Sequence, residues 1–309
     1  MIHSLGITWN PSEGIDLGFF MIRFYSLMWV TAFALGWQIT KYIFIRENEP
    51  IEKLDSLFIW TVLSTMLGAR LGHVIFYQPE LFMDDPLSIL LPIRTVPDFK
   101  FTGFAGLASH GAAIAIIFSM WFFSTKIMKR PILWVLDRIV IPVASGAVFI
   151  RLGNFFNSEI YGKITEDNFY AVKFIKEEEF WQHNSVQQIT KAATENEGYK
   201  MIQNDPKYLD VLNQIPFRHP AQLYEAICYV FVFAILYYMY WKTDARNKQG
   251  LIFGMFMILL WSIRFVVEFV KASQGGFENT LHVFTTGQWL SIPLILVGVY
   301  YVFRPKKIK

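Results

Sequence analysis

Charge and cysteine are scarce in this 309-residue chain: 17% of its residues are Asp, Glu, Lys or Arg, and Cys228 is its one cysteine. A single thiol set in an apolar run excludes a disulfide within the chain and any cysteine-based metal centre. The net charge of +3 is too small for a nucleic-acid-binding surface, and the basic residues form short clusters between apolar runs. A cleavable leader is not expected either, because MIHSLGITWNPSEGID has neither a basic start nor an apolar core. The first apolar run is therefore expected to serve as its own targeting signal.

Apolar residues dominate instead: 54% of the chain is hydrophobic and 17% aromatic. They gather into runs of about 20 residues, the length that crosses a bilayer as a helix. Seven such runs occur, at 18 to 40, 56 to 77, 103 to 124, 132 to 151, 221 to 241, 251 to 270 and 287 to 303. The expected fold is an all-α polytopic integral membrane protein whose termini lie on opposite sides. Short basic loops fix its orientation: Lys41, Arg46 and Lys53 follow the first run, Lys126, Lys129 and Arg130 the third, and Lys242, Arg246 and Lys248 the fifth. Arg304, Lys306, Lys307 and Lys309 end the chain. Such loops stay cytoplasmic, so the N-terminus is expected outside and the C-terminus in the cytoplasm.

Two longer connections then fall on the outer side. Residues 78 to 102 form a Pro-containing loop, and 163 to 218 form a polar stretch with no repeat, heptad or low-complexity tract. The second reads as a small extracytoplasmic domain. The organisation is thus spans one to four within 1–162, an inserted domain at 163–218, and spans five to seven with a basic tail at 219–309.

Polar residues within spans are the informative ones, since a charge at mid-membrane costs about 2.5 to 3.5 kcal/mol even on insertion scales. They are Arg23, Arg70, His73, His110, Asp137, Arg138, Arg151, Asn154, Glu159, Glu225, Arg264 and Glu268. Structural readings exist for some. Asp137 and Arg138 can snorkel or pair at the cytoplasmic start of span four, Arg264 and Glu268 are spaced for an i,i+4 ion pair, and His110 can be a hydrogen-bonded structural residue. Location favours function: with the orientation above, Arg151, Asn154, Asn157 and Glu159 end span four on the outer side. His219, Gln222, Tyr224 and Glu225 begin span five there, and Arg264, Glu268 and Lys271 lie in the outer part of span six or just beyond it. Arginines with amide and phenol donors at headgroup depth make a phosphate site, because a guanidinium presents paired donors to phosphate oxygens.

The blocks RFYSLMW (23–29), GARLGHVIFY (68–77), SHGAA (109–113), RLGNFFNSEIYG (151–162), RHPAQLYE (218–225), RFVVEFVK (264–271) and GQWLSIP (287–293) together resemble the prolipoprotein diacylglyceryl transferases. The resemblance extends over nearly the whole chain, and the order and spacing of the blocks make it specific. It implies a multi-pass enzyme of the bacterial plasma (inner) membrane. The implied reaction moves the diacylglyceryl group of phosphatidylglycerol onto the lipobox cysteine thiol of a prelipoprotein signal peptide, releasing glycerol phosphate. No cofactor or metal is implied; the partners are the two substrates and membrane lipid, with no nucleic acid.

Carried over by position, the resemblance assigns Arg151 and Arg264 to the phosphate and His110 to the thiol proton. Asn154, Asn157 and Glu159 accompany Arg151, Tyr25, Arg70 and Tyr77 contact substrate, and Glu268 orients Arg264. The chain departs from the family pattern at Ala112, where a second glycine usually follows the histidine, at Ser26, a common glycine, and at Leu260, where some members have tyrosine. Two other classes remain open on residues alone. A secondary transporter also carries intramembrane polar groups, but duplicated halves are not found and the polar groups favour one leaflet. A headgroup enzyme with water as acceptor is opposed only by the block resemblance.

Overall fold

A segment in hydrocarbon has no water to satisfy its peptide groups and must close them internally, as a helix does. Each of the seven apolar runs carries a helix in the computed structural model, which describes residues 5–18, 21–91, 93–96, 98–101, 108–182, 184–272 and 283–304. These are α1 (Phe24–Arg46), α2 (Ile51–Tyr77), α3 (Ser109–Phe122, prolonged by a π-helical turn to Met128) and α4 (Ile132–Phe156). After a long insertion come α5 (Ala221–Lys242), α6 (Leu251–Val267) and α7 (Thr286–Phe303).

Five stretches among the described residues are long and apolar enough to cross a membrane: α2, Gly111–Met128, α4, α5 and α7. The sequence count was seven. α6 is apolar but has 17 residues, because the chain leaves the helix at Glu268. α1 starts only at Phe24, after a hairpin of Gly14–Asp16 with Met21–Arg23, and Ser26, Thr31, Gln38 and Thr40 dilute its apolar content. The helices turn apolar side chains outward, as a lipid solvent requires, and bury their polar groups among apolar ones. On α5, Ile227 and Phe231 are 59% and 64% exposed, whereas Gln222 and Glu225 are buried.

The chain divides into two compact units, Met1–Gly36 with Val140–Lys309, and Trp37–Ile139. In the second unit α2 packs on α3 through small residues. A Cβ on Gly72 would lie 2.6 Å from the Gly111 Cα, the backbone approach that small residues allow between membrane helices. Gly111 takes that closest approach, so alanine at 112 is accommodated. Elsewhere in this unit Arg138 pairs with Glu47 at 2.8 Å and lies 3.9 Å over the Trp134 ring, which bears out its reading as a paired structural residue. Glu49 joins Lys53 at 2.9 Å and Arg130 at 2.8 Å.

In the first unit the insertion folds as a small α/β element, an addition to the all-α class. Its sheet comprises β1 (Ile7–Trp9), β2 (Ile164–Thr165), β3 (Val172–Phe174) and β4 (Phe217–Arg218) in the order β1-β3-β4-β2. The N-terminal segment supplies β1, parallel to β3 with Ile7 opposite Val172, so the insertion is not confined to 163–218. Strands of two or three residues are too short for an alternating pattern to show in sequence. Ile175, Val186, Ile202, Tyr208 and Ile215 form a core under its short helices. The sheet is fastened to the last turn of α4, where the Trp9 indole donates to the Phe155 carbonyl at 3.0 Å.

Candidate active site

Three helix ends of the first unit meet at Gly162. Its N–H donates to the His219 carbonyl at 2.8 Å, Lys163 N–H donates to the Val270 carbonyl at 2.7 Å, and His219 N–H donates back to Lys163 at 3.1 Å. A Cβ at 162 would lie 2.6 Å from both the His219 Cβ and the Val270 carbonyl oxygen, so only glycine lets these backbones close. The segment before it is tightly turned. Ser158 and Ile160 have φ of 56° and 59°, and a β-branched residue there is a strained conformation of the kind that collects at functional sites. Arg218 braces the knot: it donates to the Gly162 carbonyl at 3.3 Å, pairs with Glu177 and Glu179, and lies 4.7 Å over the Tyr161 ring.

The knot holds a buried polar chain in register. Arg151 and Asn154 are one turn apart on α4, and an Arg151 terminal nitrogen donates to Asn154 Oδ1 at 3.3 Å. Asn154 Nδ2 donates to Glu159 Oε1 at 2.6 Å, and Gln222 of α5 donates to the Glu159 carbonyl at 2.6 Å. Arg151 Nε lies 2.6 Å from Glu225 Oε2, with the Glu225 side chain 1% exposed. That contact is an ion pair by distance without hydrogen-bond alignment, for neither Glu225 oxygen accepts a hydrogen bond among the described residues. Tyr25 closes one side, since a Cβ on Gly153 would lie 2.9 Å from its ring.

Arg264 of α6 joins the same group: it and Arg151 both act electrostatically on Tyr229 of α5, beside Glu225. Its guanidinium lies 5.4 Å over the Trp261 ring, and its buried Nε has no hydrogen-bond partner among the described residues. No ion pair joins Arg264 and Glu268 among those residues, although their i,i+4 spacing left one open. Glu268 instead faces Lys271, at 3.6 Å. Lys271 is buried and within electrostatic reach of Glu225, Glu268, Arg151 and Arg264; burial pushes its amine below the usual range while the carboxylates pull it back.

The remaining expected residues are placed differently. Asn157 is exposed and stands outside the polar chain. Arg70, Tyr77 and His110 belong to the second unit. Arg70 donates to the Ser88 and Ile89 carbonyls at 2.7 and 3.1 Å, tying α2 to the loop that follows it, a contact sequence reading did not supply. Tyr77 is 63% exposed with its ring 5.3 Å from that of His73. His110 is the second residue of α3; its side chain lies outside the described residues.

Sequence reading left Tyr229 out of the site and gave Lys271 a place near it but no role. The signal was helical spacing: Gln222, Glu225 and Tyr229 share the buried face of α5, and Lys271 stands seven positions beyond Arg264. Next to the knot, a shallow apolar groove of about 430 Å³ is lined by Tyr170, His219 and Tyr224 with Val266, Val267 and Val270 of the α6 end. His219 contacts the Tyr224 hydroxyl at 3.3 Å, and burial lowers its pKa.

Chemically, this arrangement presents guanidinium donors to an anion at one end of helices whose outer faces are apolar, as a phospholipid headgroup requires. The family model for prolipoprotein diacylglyceryl transferase matches residues 13–304. A Bacteroides fragilis protein named phosphatidylglycerol--prolipoprotein diacylglyceryl transferase is 32% identical over 302 residues, covering 97% of this chain and 95% of its own. Proteins of the same name from Tolumonas auensis and Porphyromonas gingivalis are 32% and 34% identical, each covering 97% of this chain and 98% and 95% of their own.

Proposed function

The chain belongs to the prolipoprotein diacylglyceryl transferase family, and from that premise we propose that Arg151 and Arg264 hold the phosphate of the lipid donor while His110 takes the proton of the acceptor thiol. The enzyme transfers the diacylglyceryl group of phosphatidylglycerol to the lipobox cysteine of prelipoproteins in the bacterial inner membrane, the first step of lipoprotein maturation.

The bond changes set what the residues must do. The sulfur bonds to the terminal glyceryl carbon, the C–O bond to phosphate breaks, and its electron pair leaves on the phosphate oxygen. The thiol proton passes to His110, whose neutral form is available near pH 7. The negative charge gathering on the departing oxygen is met by the two guanidiniums, fixed in advance by Glu225, Asn154 and the Trp261 ring. Tyr25 and Tyr77 orient ester or headgroup oxygens. The observation that carries this reading is Arg264: a buried guanidinium Nε with no hydrogen-bond partner among the described residues, in the same polar group as Arg151.

The fine topology is part of the proposal: seven spans, the N-terminus outside, the C-terminus cytoplasmic, and the insertion outside the cytoplasm. A reporter active only outside the cytoplasm should then work when fused after residue 190 and be silent at the C-terminus. The opposite pattern would overturn the orientation. The reaction itself is tested by incubating the purified protein with phosphatidylglycerol labelled in its acyl chains and a lipobox peptide. Label should appear on the Cys peptide and not on a Cys-to-Ser control; release of labelled lipid product without peptide label would indicate a hydrolase.

A further inference from the structure

Arg264 lies in the last turn of α6 and Glu268 caps it four residues on, a spacing at which an ion pair can form. That pair does not form among the described residues, and Arg264 Nε is left without a partner. We propose that Lys271 and Gly287 are positioning residues that withhold the Glu268 carboxylate from Arg264, leaving that guanidinium to the lipid phosphate. This rests on the transferase reading above and adds a reason for the state of its arginine.

Two contacts hold Glu268 away. On one side, Lys271 Nζ is 3.6 Å from Glu268 Oε2, and with its side chain 3% exposed it cannot turn to water for compensation. The backbone fixes it there, since Lys271 bridges to Gly162 in the knot and its N–H donates to the Glu268 carbonyl at 3.4 Å. On the other side, the carboxylate packs into the space over Gly287, in the first turn of α7. A Cβ at 287 would lie 2.5 Å from Glu268 Cδ and Oε1 and 2.7 Å from Oε2, so any larger residue displaces the carboxylate. A helix N-terminus, with unpaired N–H groups and the positive end of its dipole, favours a carboxylate in that place. The Thr285 and Gln288 capping box fixes this turn, and Gln288 Nε2 reaches back to the Phe265 carbonyl at 3.3 Å, so α6 and α7 keep their register beside the carboxylate. The other charged groups facing Lys271 are Glu225 on α5, Arg151 on α4 and Arg264 itself, whose like charge opposes the lysine. Glu225 already lies against Arg151, so Glu268 is the carboxylate that a missing Lys271 would set free.

The test is a suppressor experiment on the whole enzyme in nanodiscs containing phosphatidylglycerol. In Lys271→Met the freed carboxylate captures Arg264, and kcat/KM for phosphatidylglycerol should fall roughly tenfold or more, the loss of a charge-assisted hydrogen bond. Adding Glu268→Gln removes the competitor, so the double variant should transfer faster than Lys271→Met alone. Lys271→Arg should keep most activity, and Gly287→Ala should behave as Lys271→Met does and be relieved by the same second change. A bracing role predicts instead that the two losses add and follow the melting temperature. A double variant no faster than Lys271→Met overturns the inference while wild-type transfer stands. No transfer by the wild type would overturn the function reading itself.

Discussion

Arg151→Gln is expected to lower transfer by roughly 100- to 1000-fold, the range for removing one preorganised donor from developing negative charge. It should also destabilise the protein by about 3 to 5 kcal/mol, because it strands a buried carboxylate. Glu225 is 1% exposed, has no hydrogen bond at either oxygen among the described residues, and lies 2.6 Å from Arg151. The two effects separate in a double variant. Arg151→Gln with Glu225→Gln removes the stranded charge and should recover most of the melting temperature, yet transfer should stay low, since the donor to the phosphate is still missing. If activity returned along with stability, Arg151 would be a structural residue.

His110→Gln is expected to depress transfer near neutral pH by roughly 100-fold or more, as for the loss of a general base. Raising the pH should recover part of the loss, because the peptide thiol then ionises without help. The sign follows from the thiol: the base matters only while the thiol keeps its proton, so the gap between wild type and variant narrows as pH rises through the thiol pKa. A gap that stays constant with pH would assign His110 to positioning. The measurement is a pH series of initial rates with one lipobox peptide.

Much of the helix framework was legible because lipid leaves the backbone few choices. All seven apolar runs carry helices, and α2, α4, α5 and α7 fall within a few residues of the expected limits. The sheet was not legible. β1 pairs with β3 across more than 160 residues of sequence, and nothing local in Ile7–Trp9 announces a partner at Val172–Phe174. The candidate site was readable where chemistry and spacing coincide on one helix, as for Arg151 and Asn154. It was not readable where tertiary packing overrides local spacing. Glu268 leaves its i,i+4 neighbour because Gly287, on another helix, gives it room, and Arg70 turns to the Ser88 and Ile89 carbonyls because its loop folds back over α2. Tyr229 was missed for a similar reason: a tyrosine in an apolar run looks like packing until Glu225, one turn earlier, is seen beside Arg151.

The central claim is that two guanidiniums grip the lipid phosphate through their paired donors, and Arg264→Lys tests it most directly. Lysine keeps the charge but presents it as a hydrated point on a flexible stem. Insertion scales charge it about as much as arginine, so the variant should accumulate in the membrane. Turnover and melting temperature should be measured together on the purified variant with phosphatidylglycerol and a lipobox peptide. The account predicts turnover lower by roughly 10- to 150-fold, the equivalent of about 1.5 to 3 kcal/mol for a hydrogen bond to a charged group, with the melting temperature essentially unchanged. Near-normal turnover in Arg264→Lys would contradict it.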